Sequence, residues 1–165
     1  MEAYFDNSAT TPVYPEVRDL MVKIMEEDYG NPSSLHMKGV TAARYIKDAR
    51  ESLAGEMKVM PKEIVFTSGG TESNNMALIG GALANRRAGN KIITTSVEHA
   101  SVGSPMEFLA GMGFDVVRIG VDSSGQIDMD QLMSEVDDDT IIVSVMYVNN
   151  EIGTVMPIAD IARLI

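Results

Sequence analysis

The sequence predicts an α/β fold, a largely parallel sheet with helices on both faces, and three observations carry that prediction. Short β-branched, apolar runs alternate with helical segments of about ten or more residues, which is the rhythm of βαβ units. The strand-like runs are close to continuously apolar, as strands covered on both faces are. With 165 residues, 45% of them apolar and 22% charged, the chain can build one core of ordinary size.

Each element has its own justification. Pro15–Asp28 spaces Val17, Leu20, Met21, Ile24 and Met25 helically; Pro15 suits a first turn, and Tyr29-Gly30-Asn31-Pro32 ends the helix. A second helix is expected from Ser33 or Ser34 to Met57, with Ala42, Tyr45, Ile46, Ala49, Leu53 and Met57 on one face. Glu63–Thr67 reads as a buried strand, followed by a helix from Thr71 to about Ala88. The pattern continues with strand Lys91–Thr95, helix Ser101–Met112 and strand Asp115–Ile119. Asp128 opens another helix, with Gln131 placed to complete a capping box. Thr140–Met146 is the most strand-like run, and a last helix starts near Ile158. No repeat, linker or low-complexity stretch interrupts this order.

Composition excludes several functions. Thirteen basic against 24 acidic residues give a net charge of −11, and no basic run exists to neutralise a phosphate backbone, so no nucleic-acid partner is expected. With no cysteine, the chain holds no disulfide, thiolate metal site or thiol nucleophile. The longest apolar stretches, Met76–Ala84 and Thr140–Val148, are too short for a membrane span. The first six residues lack the basic and apolar regions of a signal peptide, so a cytoplasmic location without membrane contact is expected. Thirteen methionines supply adaptable apolar surface, mostly for core filling.

In parallel α/β sheets, ligands bind beyond the carboxyl ends of strands. Three loops at such ends have unusual composition. Thr67-Ser68-Gly69-Gly70-Thr71-Glu72-Ser73-Asn74-Asn75 enters a helix; its glycines and free N–H groups read as an anion site or as a capped helix start. Glu72 opposes an anion unless its carboxylate points away. His99, in Ser96-Val97-Glu98-His99-Ala100-Ser101, reads as a helix cap or as a ligand contact by acid–base work or ring stacking. His36 sits at a helix start with no strand ahead of it and reads as structural. In Tyr147-Val148-Asn149-Asn150-Glu151-Ile152-Gly153, the paired asparagines read as a turn or as one amide reaching into a site. No metal-ligand spacing appears. Together the loops sketch a pocket for a phosphorylated, aromatic, partly anionic ligand.

Five motifs in order carry a resemblance: Asp6-Asn7-Ser8-Ala9-Thr10-Thr11-Pro12, Gly30-Asn31-Pro32-Ser33-Ser34, Phe66 to Asn74, Glu98-His99 and Val148 to Gly153. The chain resembles cysteine desulfurases of the NifS/IscS type, class V, fold-type I enzymes dependent on pyridoxal 5′-phosphate (PLP). The resemblance implies that Gly70 and Thr71 bind the cofactor phosphate. It implies that His99 stacks on the pyridine ring and assists proton transfer, and that Asn150 contacts the cofactor near the substrate carboxylate. It further implies that residues 1–14 form an arm belonging to a small domain and that residues 15–165 are the N-terminal part of the large PLP-binding domain. The implied reaction turns L-cysteine into L-alanine and an enzyme persulfide, supplying sulfur for iron–sulfur clusters through an acceptor or scaffold protein. The implied assembly is a homodimer.

Several family residues have no counterpart here: the Schiff-base lysine in a Ser-Gly-His-Lys context, the aspartate at the pyridinium nitrogen and its neighbouring glutamine, the persulfide cysteine and the substrate-carboxylate arginine. None of the six lysines (Lys23, Lys38, Lys47, Lys58, Lys62 and Lys91) lies in the three loops. Ile158–Ile165 reads as the beginning of an amphipathic helix, with no glycine cap and two apolar residues last. The expectation is an N-terminal desulfurase part, inactive alone, that needs a complementary C-terminal half. The alternatives are part of a selenocysteine lyase or class V aminotransferase, or a non-catalytic ligand-binding or assembly module.

Overall fold

The computed structural model describes residues 3–165, so the first two residues of the expected N-terminal arm lie outside the described residues. The chain divides into two compact units, Met1–Phe66 and Thr67–Ile165.

The first unit is helical. Its N-terminal stretch turns at Asp6, whose carbonyl accepts Ala9 N and Thr10 N, and the Tyr4 hydroxyl lies 2.7 Å from Thr10 Oγ1. Helix α1 (Pro15–Glu26) starts at its proline as expected. Helix α2 (Met37–Met57) begins three or four residues later than the sequence suggests, because Asn31 competes for Ser33 and Ser34. Its side-chain oxygen accepts Ser33 N at 2.9 Å and its carbonyl accepts Ser34 N at 2.9 Å, a local turn that excludes helix. His36 then caps α2, Nδ1 accepting Gly39 N at 3.4 Å, which is the structural role expected of it. Gly39 permits the turn to lie against the helix, since a Cβ there would sit 2.3 Å from the Ser34 carbonyl oxygen. Helix α2 ends with Lys58 in the left-handed region, Val59 N bonding to Ala54 O.

The expected strand Glu63–Thr67 does not form. Pro61–Glu63 is one 3-10 turn, and Ile64 to Thr67 follows without regular structure, Ile64 being extended, and with no ladder partner among the described residues. A β-branched run becomes a strand only when another backbone accepts its hydrogen bonds. Here Arg50 Nε donates to the Ile64 carbonyl at 3.3 Å, and its guanidinium lies 5.2 Å from the Phe66 ring centroid.

The second unit is the α/β layer. Strands β1 (Lys91–Thr95), β2 (Asp115–Ile119) and β3 (Thr140–Ser144) form a parallel sheet in the order β2-β1-β3. Ile141 is extra in the β1–β3 register, which steps from Lys91 opposite Thr140 to Ile92 opposite Ile142. Successive β1 side chains enter opposite cores. Fully buried Ile92 packs with Leu78, Ala82, Val102, Met106, Leu109 and Phe114, while Ile93 packs with Ile119, Ile127, Leu132, Met156 and Ile161. Each contributes about 2 kcal/mol of apolar burial. Helices therefore cover both faces, as the continuous apolar strands predict.

The first face is built by α3 (Gly70–Asn75), a π-helical stretch (Met76–Gly80), α4 (Gly81–Asn85) and α5 (Ala100–Gly111). Asn74, Leu78 and Ala82 recur every four residues, a step between the α and π periods, and so share the inward stripe. Gly81 brings α4 against β3, where a Cβ would lie 3.4 Å from Ile142 Cδ1, in van der Waals contact. The opposite face carries α6 (Met129–Glu135) and α7 (Ile158–Leu164). Asp128 caps α6 through Gln131 N at 2.9 Å, but the Gln131 side chain does not close the expected box. It accepts Gly120 N at 2.8 Å, fixing α6 to the end of β2. No helix of the described residues is long and apolar enough to cross a membrane.

Candidate functional site

The carboxyl end of β1 organises the site. Thr95 Oγ1 donates to Glu98 Oε1 at 2.8 Å, and the same carboxylate oxygen accepts Met146 N at 2.8 Å. This second bond explains why β3 stops at Ser144, two residues short of its expected end: a side chain takes the N–H that would have extended the ladder. Glu98 thus bends the 96–99 loop over the exit of β3 and delivers His99 to the start of α5.

His99 caps α5. Its Nδ1 accepts Ser101 N at 3.1 Å and lies 2.8 Å from Ser101 Oγ. Ser101 Oγ in turn accepts Asn74 Nδ2 at 2.9 Å, a bond from α3 to α5 across 27 residues of sequence. The cap and ligand-contact readings of His99 use different nitrogens, because Nε2 has no partner among the described residues.

Helix α3 opens at Gly70, with Ser73 N to Gly69 O as its first backbone bond. The amides of Gly70, Thr71 and Glu72 are therefore left without helical acceptors. Glu72 does not take them. Its carboxylate accepts Ser68 N and Ser68 Oγ, both at 2.6 Å, and these bonds, the hydroxyl's first, hold its pKa below the ordinary value. A Cβ added to Gly69 or Gly70 would meet nothing within 4 Å. Packing inside the chain does not demand glycine there, so the helix start with its unpaired amides is left uncrowded by neighbouring atoms. Thr71, Asn75, His99, Ala100, Ser101, Ser104 and Pro105 line one cavity of about 290 Å³. The larger polar cavity of the first unit, lined by Lys23, Asp28, Thr41, Arg44, Tyr45 and Asp48, is remote in chemistry from this apparatus: its Lys23, Tyr45 and Asp28 already satisfy one another.

The asparagine pair divides its duties. Buried Asn149 makes the turn: its Oδ1 accepts Glu151 N and Ile152 N, and its Nδ2 donates to the Val97 carbonyl at 3.1 Å. Gly153, at φ +73°, closes the loop by bonding to Asn149 O. A hairpin at Asp122–Gln126 buttresses it, with Thr154 Oγ1 donating to Ser124 O at 2.6 Å and Gln126 Nε2 to Val155 O at 2.9 Å. Asn150 is left exposed, its amide donating only to Glu151 Oε1 at 2.8 Å.

The structure therefore brings Thr71 and His99 into one cavity and puts Gly70 on the open helix start beside it. Asn150 is on a loop anchored to Val97, two residues before His99. Sequence reading singled out these four but missed Glu98, Asn149, Asn74 and Ser101. Asn74 and Ser101 carried no signal, since each is an ordinary early-helix residue until α3 packs on α5.

Comparison with known proteins agrees with this architecture. Residues 3–165 match the model of the family described as aminotransferase class-V. The chain is 47% identical over 161 residues to the cysteine desulfurase IscS of Methanosarcina thermophila, covering 98% of this chain and 40% of that protein. It is 44% identical over 163 residues to the IscS of Dictyoglomus turgidum, covering 99% and 41%. Among solved structures, a NifS-like protein superposes with a TM-score of 0.95 at 42% identity, covering 99% of this chain and 45% of that one. A structure described as SspA in complex with cysteine gives 0.87 at 39% identity, covering 98% and 46%. The chain spans about 40% of the length of these curated relatives, and its α/β layer is that of the N-terminal part of NifS-like enzymes. By sequence and by fold, the chain belongs to the class-V aminotransferase family.

Proposed function

We propose that the chain is the N-terminal part of a PLP-dependent cysteine desulfurase and that it is inactive alone. The observation that carries this reading is the shared cavity of Thr71 and His99 beside unpaired helix-start amides. When bound, PLP supplies an electron sink for cleavage at the amino-acid substrate. The amides of Gly70 and Thr71, with the Thr71 hydroxyl, hold the phosphate; the helix start favours its negative charge. The His99 ring, which lines the same cavity as Thr71, would stack on the cofactor's aromatic ring, and its Nε2, free of protein partners among the described residues, would be the atom that exchanges a hydrogen bond or proton with the ligand. Asn150 offers a neutral amide beside the substrate, its loop kept in place by Asn149. Phe5, 92% exposed in an arm of small polar residues, supports assigning residues 1–14 to a small domain.

The substrate in this reading is L-cysteine, the products are L-alanine and a persulfide, and a scaffold or acceptor protein takes the sulfur. The chain has no cysteine, so in this reading the residue that receives sulfur comes from a complementary C-terminal part. The test is reconstitution: mix or join the chain with the C-terminal part of a close relative and measure alanine formed from cysteine. Alanine should appear only with both parts and PLP. Selenocysteine turnover without cysteine turnover would replace the substrate, and PLP-independent binding alone would leave a non-catalytic module.

A further inference from the structure

Three donors and acceptors around one hydroxyl determine where the His99 proton sits. Ser101 N can only donate, and it donates to His99 Nδ1 at 3.1 Å. The Ser101 hydroxyl lies 2.8 Å from the same nitrogen, and Asn74 Nδ2 donates to that hydroxyl oxygen at 2.9 Å. With a lone pair of Ser101 Oγ already accepting from Asn74, the hydroxyl hydrogen is free to point at Nδ1. Both Ser101 groups then donate to Nδ1, which must present its lone pair, and a neutral imidazole must carry its proton on Nε2.

We propose that Asn74 and Ser101 are positioning residues that hold His99 as the Nε2–H tautomer, presenting that N–H as a hydrogen-bond donor in the cavity shared with Thr71. The identity of the ligand rests on the function proposed above; the tautomer is a property of the chain's own residues. For His99 to act as a base through Nε2, its proton would have to move to Nδ1, breaking the bond from Ser101 N and turning the Ser101 hydroxyl from donor to acceptor. The relay also joins α3, which carries the candidate anion site, to the ring at the start of α5. Substitutions on α3 therefore reach His99 without touching it.

Nitrogen-15 labelling of histidine and long-range nitrogen–proton correlation NMR on the natural protein, without cofactor, read the tautomer directly; the His99 signals are assigned by their loss in His99→Gln. The expected wild-type pattern is a protonated Nε2 and an unprotonated Nδ1. Asn74→Asp reverses the relay, because a carboxylate only accepts and draws the Ser101 hydrogen to itself. The Nδ1–H population should then rise several-fold, up to about tenfold, the change one hydrogen bond controls. Asn74→Leu removes only the amide that orients the hydroxyl and leaves Ser101 N donating to Nδ1, so it should give a smaller rise in the same direction and serves if the aspartate variant does not fold. Ser101→Thr should retain the wild-type pattern. Wild-type protonation at Nδ1, or a population unmoved by a folded Asn74 variant, overturns the proposal. Either result leaves the desulfurase reading to be judged by alanine formation.

Discussion

The Glu98 carboxylate accepts the backbone N–H of Met146 at 2.8 Å, joining the loop after β1 to the exit of β3 across 48 residues of sequence. The same oxygen accepts Thr95 Oγ1, so one side chain sets both the shape of the His99 loop and the length of β3. Glu98→Ala strands the Met146 N–H in a part-buried position. Unfolding free energy should fall by about 1–3 kcal/mol, with Glu98→Gln, which keeps an acceptor, losing less. Urea denaturation of the three proteins orders them.

The two asparagines of the 147–153 loop should separate stability from function. Asn149→Ala removes acceptors for two backbone N–H groups and the tie to Val97, and should destabilise by about 2 kcal/mol. Asn150→Ala alters an exposed side chain and should leave stability within about 0.5 kcal/mol while lowering turnover of the reconstituted enzyme. Thermal melts alongside alanine assays check both halves; equal melting losses would show that Asn150 also builds the turn.

Gly70 should respond in opposite directions to two measurements. Its backbone is helical and its Cβ position is empty, so Gly70→Ala should stabilise the chain by about 0.4–1 kcal/mol through the unfolded state. If the phosphate lies against the Gly70 amide, the added methyl crowds it and PLP affinity should fall. A denaturation curve and a spectrophotometric PLP titration suffice, and unchanged affinity would remove Gly70 from the cofactor site.

The Lys91–Asp137 ion pair sets a pH dependence. The Lys91 ammonium holds the Asp137 carboxyl below its ordinary value, and Asp137 raises the Lys91 pKa. The depressed acid contributes stability above the unfolded carboxyl value of about 4, and that contribution is lost as pH falls through the lower folded value. The raised base contributes stability below about pH 10.4, lost as pH climbs through the higher folded value. Asp137→Asn should therefore be less stable at neutral pH and show a shallower loss at both extremes. Urea midpoints measured across the pH range test this, and parallel curves would contradict it.

Where local pattern decided structure, the sequence was enough. The burial of Ile92 and Ile93 on opposite faces, the α1 proline and the Asp128 cap all follow from residues within one turn or one strand. Glu63–Thr67 failed because a strand exists only with a partner backbone, which periodicity cannot supply. The end of β3 and the role of Gln131 depended on side chains crossing from other elements. The site divided in the same way. Gly70, Thr71, His99 and Asn150 stood out by composition at loop positions, whereas Asn74 and Ser101 acquire meaning only from the packing of α3 on α5. Nothing local distinguishes Asn149 from Asn150; burial of the first beneath Val97 does.

If the start of α3 anchors a phosphate, two ligands that differ only in that group must bind with different affinity. Pyridoxamine 5′-phosphate and pyridoxamine differ only in the phosphate, and neither forms a covalent link to lysine. Calorimetric titration of the natural protein with each should show the phosphorylated ligand binding about 100-fold more tightly, as two charge-assisted hydrogen bonds of about 1.5 kcal/mol each would give. Thr71→Val should narrow that gap. Equal affinity for the two ligands would contradict the anchor and the cofactor assignment built on it.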